Sequence, residues 1–169
     1  MISKRLNAKD IEEKAKAVLV EHGLYSIPVD PVSLANKEGI KINNAVFSED
    51  NLSGLIAKRG DNISILVNQS DSPYRKRFTI AHELGHHFLH LMKDGEFVDS
   101  TIDLFRENEG EGGLNNEVEA NQFAAALLMP EELLRLEFKN SKGDIDYLIN
   151  RFFVSETALM FRLKRLRLL

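Results

Sequence analysis

The sequence predicts an α+β fold, because helical and strand-like patterns are segregated along the chain. Two helical patterns come first, three short patterns typical of strands follow, and helical patterns occupy most of the rest of the 169 residues. Elements in this order pack as a small sheet with helices against it. We therefore expect a small three-stranded antiparallel or mixed sheet that packs on the next helix along the chain, with a helical subdomain at the C-terminus.

Three strands are predicted in the first half of the chain. Each is a short run rich in apolar residues and bounded by polar ones. The runs span residues 40–46, 52–58 and 62–68. Gly60-Asp61-Asn62 lies between the last two runs and is typical of a tight turn. The last two strands are therefore expected to form a hairpin.

Seven helices are predicted from apolar residues at helical spacing and from residues typical of helix ends. They span residues 8–22, 31–39, 73–90, 117–128, 131–138, 144–153 and 155–168. The clearest start is Ser72-Pro73, since serine caps a helix and proline is favoured at its first position. Residues 93–116 lack periodicity, and a stretch of this length is typical of a functional or mobile loop.

We expect residues 1–140 to form one domain, with the helical pair at residues 141–169 packed on it. The pair resembles a helix-turn-helix unit, with Ser155 as the cap of its second helix. That helix carries basic residues, but its apolar residues are candidates for the core and its basic surface is small. Direct contact with DNA is therefore not expected.

Composition places the chain among ordinary globular proteins. Hydrophobic residues make up 43% and charged residues 28%, the formal net charge is −4, and cysteine is absent. The lack of cysteine excludes disulfides, thiolate metal ligands and cysteine-protease chemistry. No apolar run is long enough for a signal peptide or a membrane span, so a cytoplasmic location without membrane association is expected.

The segment from His82 to His86 has the pattern HExxH. Residues four apart on a helix share a face, so the imidazoles of His82 and His86 can meet one metal ion, and nitrogen ligands suit zinc. Glu83 is rotated by roughly 100° from His82. That angle is oblique for a ligand, but it allows Glu83 to act as a base toward a water held at the metal. Gly85 leaves room for another element to approach closely.

Three other side chains near this motif could contact a substrate: His87, His90 and Tyr74. Each also has a commoner structural explanation. Histidines near the C-terminus of a helix are favoured by the helix dipole, and an aromatic side chain in the first turn usually packs. The structural explanation is the one we expect for all three.

A catalytic zinc usually has three protein ligands, so one more is needed. Leu89 and Met92 stand where metzincins have glycine and histidine, which excludes that class. The best acidic candidates are Glu117 and Glu119. Glu117 shares a helix face with Asn121, which could hydrogen-bond a ligand histidine, whereas Glu119 points nearly the other way. Helical geometry favours Glu117 and leaves Glu119 as the alternative.

Two segments resemble the ImmA/IrrE family of metallo-endopeptidases. They are RFTIAHELGHHFLH at residues 77–90 and EVEANQFAAALLMP at residues 117–130, and the likeness covers roughly residues 25–165. The resemblance implies a site with two histidine ligands, a glutamate ligand from the second segment, and the glutamate of HExxH as the base. It also implies that the substrate is a helix-turn-helix transcriptional repressor.

The expected function is that of a zinc-dependent endopeptidase, in which His82, His86 and Glu117 hold Zn²⁺ and Glu83 activates water. Manganese and iron remain alternative metals. The expected substrate is a helix-turn-helix repressor or an antitoxin-like partner, aligned along an edge strand. The acidic stretch at residues 94–119 suits either a basic partner or simple solubility.

The alternative function is that of a non-catalytic regulatory binding module. Such a module would have a peptidase-like fold and would recognise a repressor, a toxin partner or DNA. Glu83 argues against this alternative, because a pure binder needs no base. A purely structural metal is disfavoured as well, since structural zinc sites are closed by four protein ligands.

Overall fold

The computed structural model describes residues 6–48, 52–90, 97–102 and 113–169. These residues form seven helices and four strands. The helices are α1 (Ala8–Glu21), α2 (Pro31–Lys37), α3 (Pro73–Leu89), α4 (Gly113–Leu128), α5 (Glu131–Asn140), α6 (Ile145–Phe152) and α7 (Glu156–Arg165). The strands are β1 (Lys41–Ala45), β2 (Leu52–Arg59), β3 (Asn62–Asn68) and β4 (Phe97–Ile102). The predicted α+β class is confirmed.

The sheet is mixed and has the strand order β1-β3-β2-β4. The predicted hairpin is confirmed, since β2 and β3 pair antiparallel with only Gly60 and Asp61 between them. β1 lies parallel to β3 on one side, and β4 lies antiparallel to β2 on the other. The sheet therefore has one more strand than the three that the sequence predicts.

The additional strand, β4, lies within residues 93–116, for which the sequence predicts a loop. Its six residues become a strand through pairing with β2, a long-range contact that local sequence does not encode. Residues 113–116 belong to α4, which therefore begins earlier than predicted. The rest of the predicted loop, residues 93–96 and 103–112, lies outside the described residues, as does half of the acidic stretch.

Helix α3 lies at the centre of the molecule. It packs against α2 and α4 and beneath β2 and β3. Each of its residues from 78 to 86 is buried, so the helix is enclosed on all sides. The surrounding core is a cluster of buried apolar side chains contributed by every helix and by β2 and β3; it includes Ile11, Leu34, Ile56, Ile65, Leu84, Phe123, Leu134, Phe152 and Leu163.

The C-terminal helical pair, α6 and α7, contributes to this same core and is tied to α1 by Arg162. The Arg162 side chain is 1% exposed and donates hydrogen bonds to both carboxylate oxygens of Glu12. Its Nε and Nη2 atoms also donate to the carbonyl oxygen of Met129, at 3.1 and 2.9 Å. Because Arg162 is buried, it is not available to contact phosphate. The domain boundary near residue 140 stays a prediction.

None of the helices in the described part of the chain is both long enough and apolar enough to cross a lipid bilayer.

A polar cluster of His22, Glu38 and His87 joins three helices. Glu38, at the C-terminal end of α2, accepts hydrogen bonds from His22 Nε2 at 2.7 Å and from His87 Nε2 at 3.0 Å. His22 Nδ1 lies 2.7 Å from the carbonyl oxygen of Val18. A carbonyl and a carboxylate both only accept, so His22 makes both bonds only as the doubly protonated imidazolium. The cluster therefore links α1, α2 and α3 most strongly when His22 is charged.

We expect the replacement of Arg162 by methionine to destabilise the protein by about 3 kcal/mol. The change leaves the carboxylate of Glu12 and the carbonyl of Met129 without a buried partner. The matched change Lys164→Met, at an exposed position of the same helix, should alter stability by less than about 0.5 kcal/mol. Urea unfolding followed by circular dichroism measures the free energy of unfolding of both variants. Equal losses of stability would contradict the stabilising role of the buried Arg162 contacts.

We expect stability to fall as the pH rises above neutrality. The hydrogen bond to Val18, together with Glu38, raises the pKa of His22 above its usual 6.5. The folded chain thus holds this proton more tightly, so the stabilisation is complete below pH 6.5 and is lost as the pH rises through the folded value. Burial acts to raise the pKa of Glu38, but hydrogen bonds from His87 and His22 outweigh it and lower that pKa.

Urea unfolding of the metal-free protein between pH 6 and pH 9 tests this dependence. In the His22→Gln variant the decline in the free energy of unfolding should be shallower, because the tightly held proton is gone. The change Glu156→Gln is the control, since it also removes an exposed charge and Glu156 is not among the groups that shift the pKa of His22. An unchanged pH slope in His22→Gln would show that the cluster is not linked to protonation of His22.

Candidate metal centre

His82 and His86 lie one turn apart on α3. The helix begins as predicted: the Ser72 hydroxyl accepts a hydrogen bond from the Arg75 N–H, and Pro73 occupies the first position. Both histidine side chains are 0% exposed. Their Nε2 atoms are 3.0 Å apart, so the two rings converge on one point, as four-residue spacing on a helix predicts.

The carboxylate of Glu117, on α4, lies against both imidazoles. Glu117 Oε1 is 3.0 Å from His86 Nε2, and Glu117 Oε2 is 3.2 Å from His82 Nε2. Ligand atoms held by one tetrahedral zinc at about 2.0–2.1 Å would lie about 3.3 Å apart, close to these separations. Two nitrogens and one oxygen thus form a set that fits a metal ion, with a fourth position left for water.

Glu117 remains ionised beside the two histidines. Partial burial of its side chain acts to raise the pKa of the carboxyl group, but hydrogen bonds and charge interactions with His82 and His86 outweigh burial and lower the pKa to about 2. An ionised carboxylate is purely an acceptor. Glu117 therefore presents its oxygens in the protonation state that a metal requires.

Asn121 orients the ring of His82. Its side-chain oxygen lies 2.8 Å from His82 Nδ1. An amide oxygen only accepts, so Nδ1–H donates this bond, and Nε2 is left as the ring nitrogen that faces Glu117 and would bind a metal in place of its proton. Asn121 lies one turn after Glu117, and the contact predicted from their shared face is present. Outer partners of this kind fix the tautomer and direction of a ligand histidine.

Close contact between α3 and α4 brings these residues together. A β-carbon placed on Gly85 would lie 3.0 Å from the Cα atom and 3.0 Å from the carbonyl oxygen of Ala120. Any side chain at position 85 would therefore push the two helices apart. The sequence predicts such a close approach at Gly85, and the element that approaches is α4, which carries Glu117.

Glu83 is buried beside the three candidate ligands. Its side chain is 0% exposed, and it is not part of the group of ligand atoms found among the described residues. Its Oε1 atom faces β2, where a β-carbon placed on Gly54 would lie 3.7 Å away. Gly54 is not among the residues predicted to matter from sequence, although an isolated glycine within a strand pattern can indicate a close backbone approach.

Glu119, the alternative third ligand, has other partners. It is 6% exposed, and its Oε1 accepts a hydrogen bond from the backbone N–H of Leu6 at 3.0 Å. Its Oε2 lies 3.7 Å from His90 Nε2. Glu119 thus holds the segment before α1 against α4. The geometry of α4 directs Glu117 and Glu119 to different neighbours, as helical spacing predicts.

The other candidates near the motif contact the protein itself. His87 Nε2 bonds to Glu38, as described above, and His90 lies beside Glu119. The ring of Tyr74 packs edge-on against the ring of Phe153, with centroids 4.9 Å apart. Of the contacts named here, one involves a candidate ligand: the centroids of the His90 and His86 rings are 5.6 Å apart.

The basic run at residues 75–77 also makes internal contacts. Arg75 Nε donates to the hydroxyl of Ser53 at 2.8 Å. Arg77 donates to the carbonyl oxygens of Phe153 and Val29, at 3.0 and 2.7 Å. Arg75 therefore fastens the start of β2 to α3, next to the strand residue that faces Glu83.

Two curated proteins are similar to part of this chain. The radiation response metalloprotease IrrE of Deinococcus deserti is 38% identical over 104 residues, which cover 59% of this chain and 35% of that protein. The protein of the same name from Deinococcus radiodurans is 40% identical over 72 residues, which cover 41% of this chain and 20% of that protein. The chain thus matches only about a third or less of the length of these relatives.

A transcriptional regulator of Mycobacterium tuberculosis has a similar structure, with a TM-score of 0.62 and 18% identity over 91% of this chain and 46% of that chain. At this identity the similarity shows the fold alone. Residues 35–164 match the profile of a peptidase family described as the IrrE N-terminal-like domain. Because this match spans well over half of the chain, the protein belongs to that metallopeptidase family, the ImmA/IrrE family that its two motifs resemble.

Proposed function

We propose that the protein is a zinc-dependent endopeptidase, with His82, His86 and Glu117 as the zinc ligands and Glu83 as the general base. The observation that carries the proposal is the convergence of three ligand atoms, within 4.8 Å of one another, next to a buried glutamate. A set of three protein ligands leaves the fourth position open, which is typical of catalytic zinc.

A zinc ion held by these residues would supply Lewis acidity, which polarises the scissile carbonyl and lowers the pKa of a bound water so that it can lose a proton at neutral pH. Two imidazoles and one carboxylate form a ligand set known from zinc peptidases. Asn121 and the enclosing core hold the ligands in place before any metal arrives. This rigidity supports zinc, which is commonly four-coordinate, over metals that prefer six ligands.

Glu83 would take a proton from the attacking water and deliver it to the leaving amine. Its position supports this assignment, because its carboxylate is fully buried and lies outside the ligand group. In such an environment a carboxylate is held in one place and interacts strongly with nearby charge. A module that only binds a partner has no use for a buried base here.

For the substrate, we extend the proposal to a helix-turn-helix transcriptional repressor. Support comes from family membership and from the net charge of −4, which favours association with a basic DNA-binding protein. Among the described strands, β4 forms the edge of the sheet beside β2, and Gly54 of β2 faces Glu83. An extended segment of the substrate would add alongside this edge.

We expect Glu117→Gln to reduce bound zinc from near one equivalent to a small fraction of it. Removal of a direct ligand should weaken zinc binding by more than the roughly 10–100-fold that loss of an outer partner costs. The matched change Glu119→Gln keeps an acceptor for the Leu6 N–H and should retain zinc. Mass spectrometry of metal content, on protein purified without chelators, measures both variants.

Two outcomes would contradict this ligand assignment. One is a full equivalent of zinc in Glu117→Gln, and the other is a loss of zinc confined to Glu119→Gln. Loading the wild type in parallel with zinc, manganese and iron would identify the preferred metal.

We expect Glu83→Gln to lower the rate of cleavage by about 10²–10⁴-fold, the usual contribution of a general base, while zinc content stays unchanged. The substrates to assay are the helix-turn-helix proteins encoded beside the gene. Gel electrophoresis and mass spectrometry of the fragments report the cleavage and its position.

The results separate the two functions. Cleavage that survives in Glu83→Gln would show that the endopeptidase mechanism is wrong. Equal binding of a repressor by wild type and Glu83→Gln, with cleavage by neither, would establish the non-catalytic binding module instead.

A further inference from the structure

The hydroxyl of Thr79 is buried in α3 without a hydrogen-bond partner among the described residues. The residue is 0% exposed. A threonine hydroxyl on a helix commonly bonds the carbonyl of the residue four positions earlier, and Thr79 does not make that bond. A buried polar group of this kind is costly, so its persistence calls for an explanation.

Thr79 lies one helical turn before Glu83, on the same face of α3. Both side chains converge on the same point of β2. A β-carbon placed on Gly54 would lie 2.4 Å from Thr79 Cγ2 and 3.7 Å from Glu83 Oε1. It would also lie 2.9 Å from the carbonyl oxygen of Leu66. Only glycine therefore fits at position 54, and the strand closes over both side chains.

The chemistry of the two groups is complementary. An ionised carboxylate accepts hydrogen bonds at about four positions and donates none, whereas a hydroxyl supplies one donor. The threonine side chain adopts two χ1 rotamers readily on a helix, so its hydroxyl can turn toward the carboxylate one turn away. In a buried space, a hydrogen bond to a charged acceptor is stronger than one to a neutral group.

We infer that Thr79 is a positioning residue for Glu83. After rotation about χ1, its hydroxyl donates a hydrogen bond to the Glu83 carboxylate, directly or through one water, and holds the carboxylate in the orientation in which it accepts a proton. Gly54 and the Arg75–Ser53 bond keep β2 pressed onto this face of α3. The inference deepens the proposed function and rests on it for the base role of Glu83.

A double-mutant cycle on the metal-free protein tests the hydrogen bond without any substrate. The two changes are Thr79→Val, which keeps the shape but removes the donor, and Glu83→Leu, which removes the acceptor. With Glu83 present, Thr79→Val should lower the urea midpoint of unfolding. In the Glu83→Leu background the same change should raise it, because the hydroxyl there has lost its acceptor. Equal shifts in both backgrounds would overturn the inference.

The kinetic test uses the zinc-loaded protein and a cleaved helix-turn-helix repressor. Thr79→Val should lower kcat by about tenfold or more with KM unchanged, as expected for loss of a hydrogen bond to a charged group. Thr79→Ser retains the donor and should keep kcat within about threefold of wild type. Equal loss in both variants, or a change confined to KM, would show that the residue acts only through packing.

The two failures are distinguishable. If Glu83→Gln cleaves as well as wild type, the proposed function fails, and the cycle still reports whether the hydrogen bond exists. If Glu83→Gln is inactive while Thr79→Val matches wild type in kcat and shows no coupling to position 83, the endopeptidase stands and the positioning role of Thr79 is wrong.

Discussion

The contact of the Gly85 backbone with Ala120 is the constraint on which the rest of the site depends. Two helices can approach this closely only where side chains are absent or very small. The contact lies between the two candidate ligands of α3, and on α4 it lies between Glu117 and Asn121. This one close crossing therefore places the Glu117 carboxylate against the imidazoles of His82 and His86. It also places the Asn121 amide against His82. A larger residue at position 85 would push α4 away from α3 and so separate Glu117 from the two histidines.

Glu117 and Glu119 lie two residues apart on α4 and point to nearly opposite sides of the helix, so they have different structural roles. Glu117 faces the histidines, and Glu119 accepts the backbone N–H of Leu6 and lies near His90. The same short stretch of helix thus completes the candidate metal centre and anchors the start of α1. α1 is also tied to α7 through the bond of Arg162 to Glu12. Segments before and after the HExxH motif are therefore linked, directly or through α1, to α4, which carries Glu117.

The features that sequence predicted are those that depend on spacing within a single helix. The pairing of His82 with His86, and the shared face of Glu117 and Asn121, follow from four-residue spacing alone. The features that sequence missed depend on contacts between distant segments. β4 becomes a strand by pairing with β2, and Arg162 is buried because Glu12 meets it across 150 positions of sequence. The FVDSTI sequence of β4 contains residues that favour strands, but it is a short run within a long polar stretch and does not specify β2 as its partner. An arginine is rarely buried unless it is paired, and nothing near Arg162 in the sequence indicates Glu12.

Burial of α3 on every side explains why polar residues in its middle can be held rigidly. Ordinary helices keep such residues on the solvent face, yet here His82, Glu83 and His86 lie as deep as Leu84. Glycine permits this enclosure twice: at Gly85 the backbone of α4 fills the space, and at Gly54 of β2 the side chains of Thr79 and Glu83 approach from α3. Burial of polar groups lowers stability unless they are paired, and here Asn121 and Glu117 contact the two histidines. The same enclosure keeps the candidate ligands and Glu83 in fixed relative positions, which side chains on a mobile surface loop would not maintain.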